Sequence, residues 1–213
     1  MNDSIKHQGQ RNLLVNELRR KAITDECVLQ AIARVPRHLF IDISFKHLAY
    51  KDQALPIDSG QTISQPYTVA FQTQLLQVKK NDKILEIGTG SGYQAAILIE
   101  MGAQLFTIER NRALFAKTQH LMLQLGYHAH YFLGDGYEGK KSYAPFDKII
   151  MTAGAVEIPN ALLQQLCTGG RLVAPIGDIS SQVMTLIQKT GDNEFQKSTH
   201  GFFSFVPMLK GLS

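Results

Sequence analysis

Two carboxylates and a run of alternating glycines carry the strongest chemical signal in this chain. The turn Gly88-Thr89-Gly90-Ser91-Gly92 is preceded by Glu86 and followed, after an apolar segment, by Glu109. Glycines at alternate positions let backbone approach a ligand closely and present its N–H groups. A dinucleotide fingerprint would need its third glycine at position 93, which is Tyr93, and a phosphate-cradling P-loop would need Lys followed by Ser or Thr. Glu86 beside the turn would repel a pyrophosphate and suit a ligand bearing positive charge. Glu109 is spaced to accept hydrogen bonds from two ribose hydroxyls.

These residues need a strand, a tight turn, a helix and a second strand to hold them. Ile84, Leu85 and Ile87 form the first apolar run, and Ala95, Ala96, Leu98 and Ile99 have helical spacing up to Gly102. Leu105 to Ile108 form the second run. The pattern E-x-G-x-G-x-G with a second acid about 20 residues on resembles motif I of the class I methyltransferases. Their cofactor, S-adenosylmethionine, carries an ammonium and a sulfonium that suit Glu86. Another Rossmann-like site stays open at this point.

The alternation continues. A helix is expected over residues 112–125 and strands over 130–133 and 146–151. A further helix opens at Pro159, includes Leu166 and stops at Gly169-Gly170, before a strand over 171–176. Segments 183–188 and 201–206 flank Gly191-Asp192-Asn193 and predict an antiparallel hairpin. The expected fold is α/β: a doubly wound, mostly parallel sheet of Rossmann-like type with a C-terminal antiparallel hairpin and a helical N-terminal segment. We divide the chain into residues 1–60, packed on the core, and 61–213, the two forming one globular unit. Ligands of such sheets bind beyond the strands' carboxyl ends, which gathers Glu86 to Gly92, Glu109, Thr152-Ala153 and the Gly134-Asp135-Gly136 turn on one edge. Asp135 there would meet an adenine amino group.

Upstream, helices are expected over 10–22 and, capped by Thr24 or Asp25, up to Pro36. His38 and His47 follow with no cysteine or carboxylate at ligand spacing, so packing or surface roles are expected, and no metal. Gly60 to Tyr67 reads as a polar loop leading into a helix, with Ser64 as its N-cap and Pro66 in its first turn. Such a helix start is also an anion site suited to a carboxylate.

Composition narrows the setting. Of 213 residues 44% are hydrophobic and the net charge is +4. Residues 1–51 hold nine Lys/Arg against five Asp/Glu, which solvated helix faces explain more simply than nucleic acid. Cys27 and Cys167 are far apart, as expected of reduced thiols. The polar start cannot be a secretory signal, and no apolar run reaches membrane-spanning length. A cytoplasmic monomer is expected.

Several stretches match, in order and spacing, the protein-L-isoaspartate O-methyltransferase family. They are Val35 to Phe40, Ala49 to Asp52, Leu55-Pro56-Ile57, Gly60 to Pro66, Leu85 to Tyr93, Gly134-Asp135-Gly136, Ala144 to Asp147, Gly169 to Val173 and Phe205-Val206-Pro207. Gly60 to Pro66 is the discriminating part, since motif I is widely shared. The resemblance implies transfer of a methyl from S-adenosylmethionine to the α-carboxylate of L-isoaspartyl residues in damaged proteins. It implies Ser64 as the active-site serine within the substrate loop Thr62-Ile63-Ser64. Its cofactor positions are Glu86, Gly88, Thr89, Gly90, Ser91, Gly92, Glu109, Asp135 and Gly136. Asp58 departs from the family's glycine and would sit near an anionic acceptor. A carboxylate acceptor is already ionised at pH 7, so no general base is expected. Rival readings are a class I methyltransferase with another acceptor and a cofactor-binding module without catalysis.

Overall fold

A computed structural model describes residues 3–178 and 180–213. Helix α1, Ile5–Arg20, begins earlier than apolar spacing predicts, because the Ser4 hydroxyl caps it by accepting from His7 N–H at 3.4 Å. Helix α2, Glu26–Arg34, is capped by Asp25, whose Oδ1 accepts from Cys27 and Val28 N–H groups. Two short 3-10 turns follow, Arg37–Leu39 and Ile43–Leu48. They wrap a fully buried Arg37 that donates to the carbonyls of Ala49 (3.0 Å) and Gln53 (3.3 Å). His38 is buried, stacked on His7 and bonded through Nδ1 to the Tyr50 hydroxyl at 2.7 Å, and the fold brings Asp3, His7 and His38 together with one possible ligand atom each within 4.8 Å, a grouping that sequence spacing does not show. His47 is exposed.

The expected polar loop at 60–66 is half of a small flap. Strands β1, Leu55–Pro56, and β2, Thr62–Ile63, pair antiparallel. An exposed ion pair from Asp58 to Lys117, 2.5 Å, ties the flap's bend to the helix behind it. Asp58 therefore faces a lysine, not the acceptor side. Helix α3, Pro66–Leu76, has Gln65 at its N-cap, so Ser64 is not the cap that its residue type suggests. Asp52 does that work from a distance: Oδ1 accepts from Tyr67 N–H at 2.8 Å and Oδ2 from Gln65 Nε2 at 3.0 Å. The helix start thus already holds a carboxylate, one the chain itself supplies.

The main sheet has seven strands: β3 Lys83–Ile87, β4 Gln104–Glu109, β5 His130–Leu133, β6 Phe146–Met151, β7 Leu166–Gly177, β8 Gln182–Gly191 and β9 Glu194–Phe203. Their order is β5-β4-β3-β6-β7-β8-β9, parallel from β5 to β7 and antiparallel beyond. The chain winds outward from β3 through β4 and β5, then returns to β6 on the other side, so the switch point lies at β3. Helices α4, Tyr93–Glu100, α5, Arg112–Gln124, and α6, Asn160–Gln164, make three of the four crossovers, and a 3-10 turn, Lys141–Tyr143, lies in the one from β5 to β6.

Two expectations shift here. The helix after Pro159 ends at Gln164 instead of reaching Gly169, because Leu166 already pairs with Phe146 as strand. The last hairpin strand starts at Glu194, directly after the turn, and not at 201. Its polar, exposed side chains hide it from any apolar period. Alternation along β3 splits the core. Ile84 joins α1 to α4 on one face, while Leu85 and Ile87 join Phe106, Ile149 and Leu172 on the other.

Candidate active site

The glycine turn leaves β3 with Gly88, Gly90 and Gly92 all at positive φ (96°, 51° and 86°), a region other residues enter at a cost. A Cβ at Gly88 would lie 2.6 Å from Thr152 Oγ1. That hydroxyl itself sits 2.6 Å from Gly88 O and 2.9 Å from Ile87 O. The missing Cβ at Gly88 thus lets Thr152 seat against the turn, and Gly88, Thr89, Gly90 and Ser91 line a cavity. Gly92 is not among them. It lies against Thr118 and Met122 of α5, where only a hydrogen leaves room.

Glu109, 6% exposed, lines the cavity at the end of β4. Its Oε2 accepts from Gly90 N–H at 2.9 Å and Oε1 from Asn111 N–H at 2.8 Å. Each oxygen keeps a lone pair for a diol. Glu86 lies behind the turn instead of in it, because strand alternation turns it to the opposite face from Ile87. It is fully buried and its Oε2 accepts from Thr107 Oγ1 at 2.6 Å, which in turn meets Thr89 Oγ1 at 2.6 Å. Burial, with Glu109 nearby adding to it, pushes its pKa up to about 8.

Gly136 lines the cavity, whereas the Asp135 carboxylate is bonded elsewhere: Oδ1 accepts from Tyr137 N–H and Oδ2 from Gly211 N–H at 2.7 Å. The C-terminal tail is held there by more than Asp135. Arg110 Nε donates to Gly211 O at 3.0 Å, and the backbones of Ser213, Arg110 and Arg112 exchange two hydrogen bonds. Met208 and Leu209 thereby become a cavity wall.

The flap closes the opposite side. Thr62, Ile63 and Ser64 line the cavity, and Thr62, Ser64, Thr152 and Val206 also line an outer groove. Tyr67 and Phe202 to Phe205 continue that groove along the sheet edge. Among the described residues the Ser64 hydroxyl has no hydrogen bond within the chain, and no Asp or Glu lines the groove. Glu109 and Arg110 are the charged residues lining the inner cavity among those described. An anionic group can therefore enter the groove without meeting a carboxylate, next to a chamber that suits a nucleoside.

The expected edge residues Glu109, Gly88 to Ser91, Gly136, Thr152 and Ala153 thus come together with the Thr62 to Ser64 loop. Sequence reasoning missed Gln72, Gln94, Arg110, Met208 and Leu209, which also line the cavity. Gln72 and Gln94 lie on helices read only for their apolar periods. A polar residue set within such a period, and buried, was the available signal.

The chain matches a family model described as Protein-L-isoaspartate(D-aspartate) O-methyltransferase over residues 9–213. It is 56% identical over 211 residues to the protein-L-isoaspartate O-methyltransferase of Flavobacterium psychrophilum, covering 99% of both chains. The corresponding protein of Chlorobaculum tepidum is 49% identical, with 93% of each covered. A solved protein-L-isoaspartate O-methyltransferase superposes with a TM-score of 0.84 at 26% identity, over 95% of this chain and 67% of that one. A solved Plasmodium falciparum structure, in complex with S-adenosyl-L-homocysteine, gives 0.82 at 26% identity over 94% of this chain and 99% of its own.

Proposed function

Since the chain belongs to the protein-L-isoaspartate(D-aspartate) O-methyltransferase family, we propose that Ser64 and the glycine-turn cavity carry that family's reaction here. The enzyme is an S-adenosylmethionine-dependent carboxyl O-methyltransferase acting on the α-carboxylate of L-isoaspartyl residues in damaged proteins. The observation that carries the residue assignment is the junction of two spaces at one residue: Ser64 lines both the inner cavity and the outer groove.

The cavity residues fit the cofactor. Gly90 lines the cavity with open space where a Cβ would stand, and Glu109 keeps acceptor capacity for the ribose hydroxyls. When bound, S-adenosylmethionine supplies a methyl group made electrophilic by a positive sulfur. Gly88 to Ser91 and Gly136 would line its nucleoside, with Met208 and Leu209 closing over it. Asp135 and Gly92 support from outside the cavity, Asp135 through the tail and Gly92 through α5. Glu86 acts from behind, through Thr107 and Thr89.

The acceptor carboxylate needs no base, so the residues mainly position it. The Ser64 hydroxyl donates to one carboxylate oxygen and aims the other inward. Ile63 and Val206 keep water from the meeting point. Ser64→Ala is expected to lower kcat roughly 10- to 100-fold while leaving cofactor affinity unchanged. Equal loss of both would make Ser64 a structural residue.

Residues 1–60 and 61–213 act as one unit, and the protein works as a monomer. Two free thiols, one of them exposed, support a reducing, cytoplasmic setting. Incubation with methyl-labelled cofactor and paired aspartyl and isoaspartyl peptides tests the activity. Base-labile methanol should form from the isoaspartyl peptide alone.

A further inference from the structure

Two buried glutamines on the cavity wall have their amide orientation fixed by neighbours that can only accept. Gln94, 6% exposed, donates from Nε2 to Thr73 Oγ1 at 3.0 Å. The Thr73 hydroxyl spends its own proton on Val69 O at 2.7 Å, so it has only lone pairs to offer. The NH₂ of Gln94 must therefore face Thr73, and its Oε1 is buried with no partner within the chain among the described residues. Gln72, 1% exposed, is held in the same way: Nε2 donates to the carbonyl of Met151 at 2.9 Å. A carbonyl cannot donate, so the Gln72 oxygen also remains an acceptor, and no hydrogen bond to it forms among the described residues.

Two carboxamides with their oxygens left over line the same cavity as the glycine turn. A buried acceptor without a partner is costly, so the arrangement calls for a ligand that brings hydrogens. Glu109 stands at the other end of the turn, where a ribose would sit. We propose that Gln94, assisted by Gln72, is the acceptor site for the α-ammonium of the cofactor's amino-acid end. This rests on the cofactor reading of the cavity given above. Neutral oxygens suit this task because the positive charge they receive must stay close to the positive sulfur. A carboxylate there would pair with the ammonium but also draw on the charge that activates the methyl.

The probes are S-adenosylhomocysteine and its deaminated analogue, in which hydrogen replaces the amino group. Calorimetry on the whole protein compares both. Wild type should bind the amino form about 10- to 100-fold more tightly. Gln94→Leu, close in shape, should bring the two within about threefold, chiefly by weakening the amino form. Gln72→Leu should reduce the preference part of the way. Undiminished preference in Gln94→Leu would overturn the proposal. If that variant does not fold, Gln94→Glu decides: a preference at least as large as in wild type supports the site, and a lost preference refutes it. Failure of wild type to bind either probe would instead defeat the cofactor reading itself.

Discussion

Glu86 and Glu109 are the same residue type at the ends of neighbouring strands, yet the fold gives them opposite lives. Glu109 faces the cavity and is held by two backbone N–H groups. Replacing it with alanine should weaken S-adenosylhomocysteine binding about 10- to 100-fold by calorimetry. Unchanged affinity would remove it from the site. Glu86 is sealed behind the turn with its pKa raised from the ordinary 4.5 to about 8. A carboxyl whose folded pKa lies above its unfolded one holds its proton in the native state and loses it on unfolding. Its contribution is complete below the unfolded value and is lost as pH rises through the folded one. Wild-type stability should thus fall across pH 4.5 to about 8, by about 1 kcal/mol per pH unit from this group alone. Glu86→Gln should lack that slope, measured as the difference between urea unfolding curves at pH 5 and pH 8. Parallel pH profiles for the two proteins would contradict the buried, protonated state.

Helix α3 shows what a sequence does and does not disclose about an element. Its existence, its Pro66 and its end near Leu76 are legible, because apolar spacing and proline placement are local properties. Its cap is not. Ser64 has the right residue type one position too early, and the carboxylate that satisfies the first turn comes from Asp52, across a loop. Long-range capping leaves no local pattern. Strand β9 is hidden for a related reason, since an exposed edge needs no apolar alternation. The acceptor glutamines are hidden differently, for their meaning depends on which neighbour spends its proton where. Asp52 also pairs with Lys21 at 2.6 Å, its own side chain only 3% exposed. Asp52→Asn should therefore destabilise the protein by about 1–2 kcal/mol in urea denaturation. It should also lower kcat, as the loop bearing Ser64 loosens. A variant as stable and as active as wild type would show that the helix start needs no outside carboxylate.

Across the whole molecule, the amino-terminal helices are not an appendage. Leu14, Leu18, Val28 and Ile32 share one core with Val69, Ile84 and Tyr93. Arg37 lies 4.8 Å from the Tyr93 ring, joining this segment to the first residue of α4. Arg37→Ala should cost about 2–4 kcal/mol, and unfolding followed by a probe on α1 and another on β8 should coincide. Separate transitions would show that residues 1–60 fold apart from the rest. The role proposed for Ser64 has a consequence for the proteins this enzyme serves. The residue lies partly covered, framed by Thr62, Thr152 and Val206. A kinked aspartyl linkage locked inside a client's helix or sheet cannot be fed to such a spot, whereas one in a frayed segment can. Methylation would then sample clients in proportion to how often their damaged stretch opens, so its rate should track amide hydrogen exchange at the lesion. Damage that leaves a client tightly folded would go unseen until that client begins to come apart.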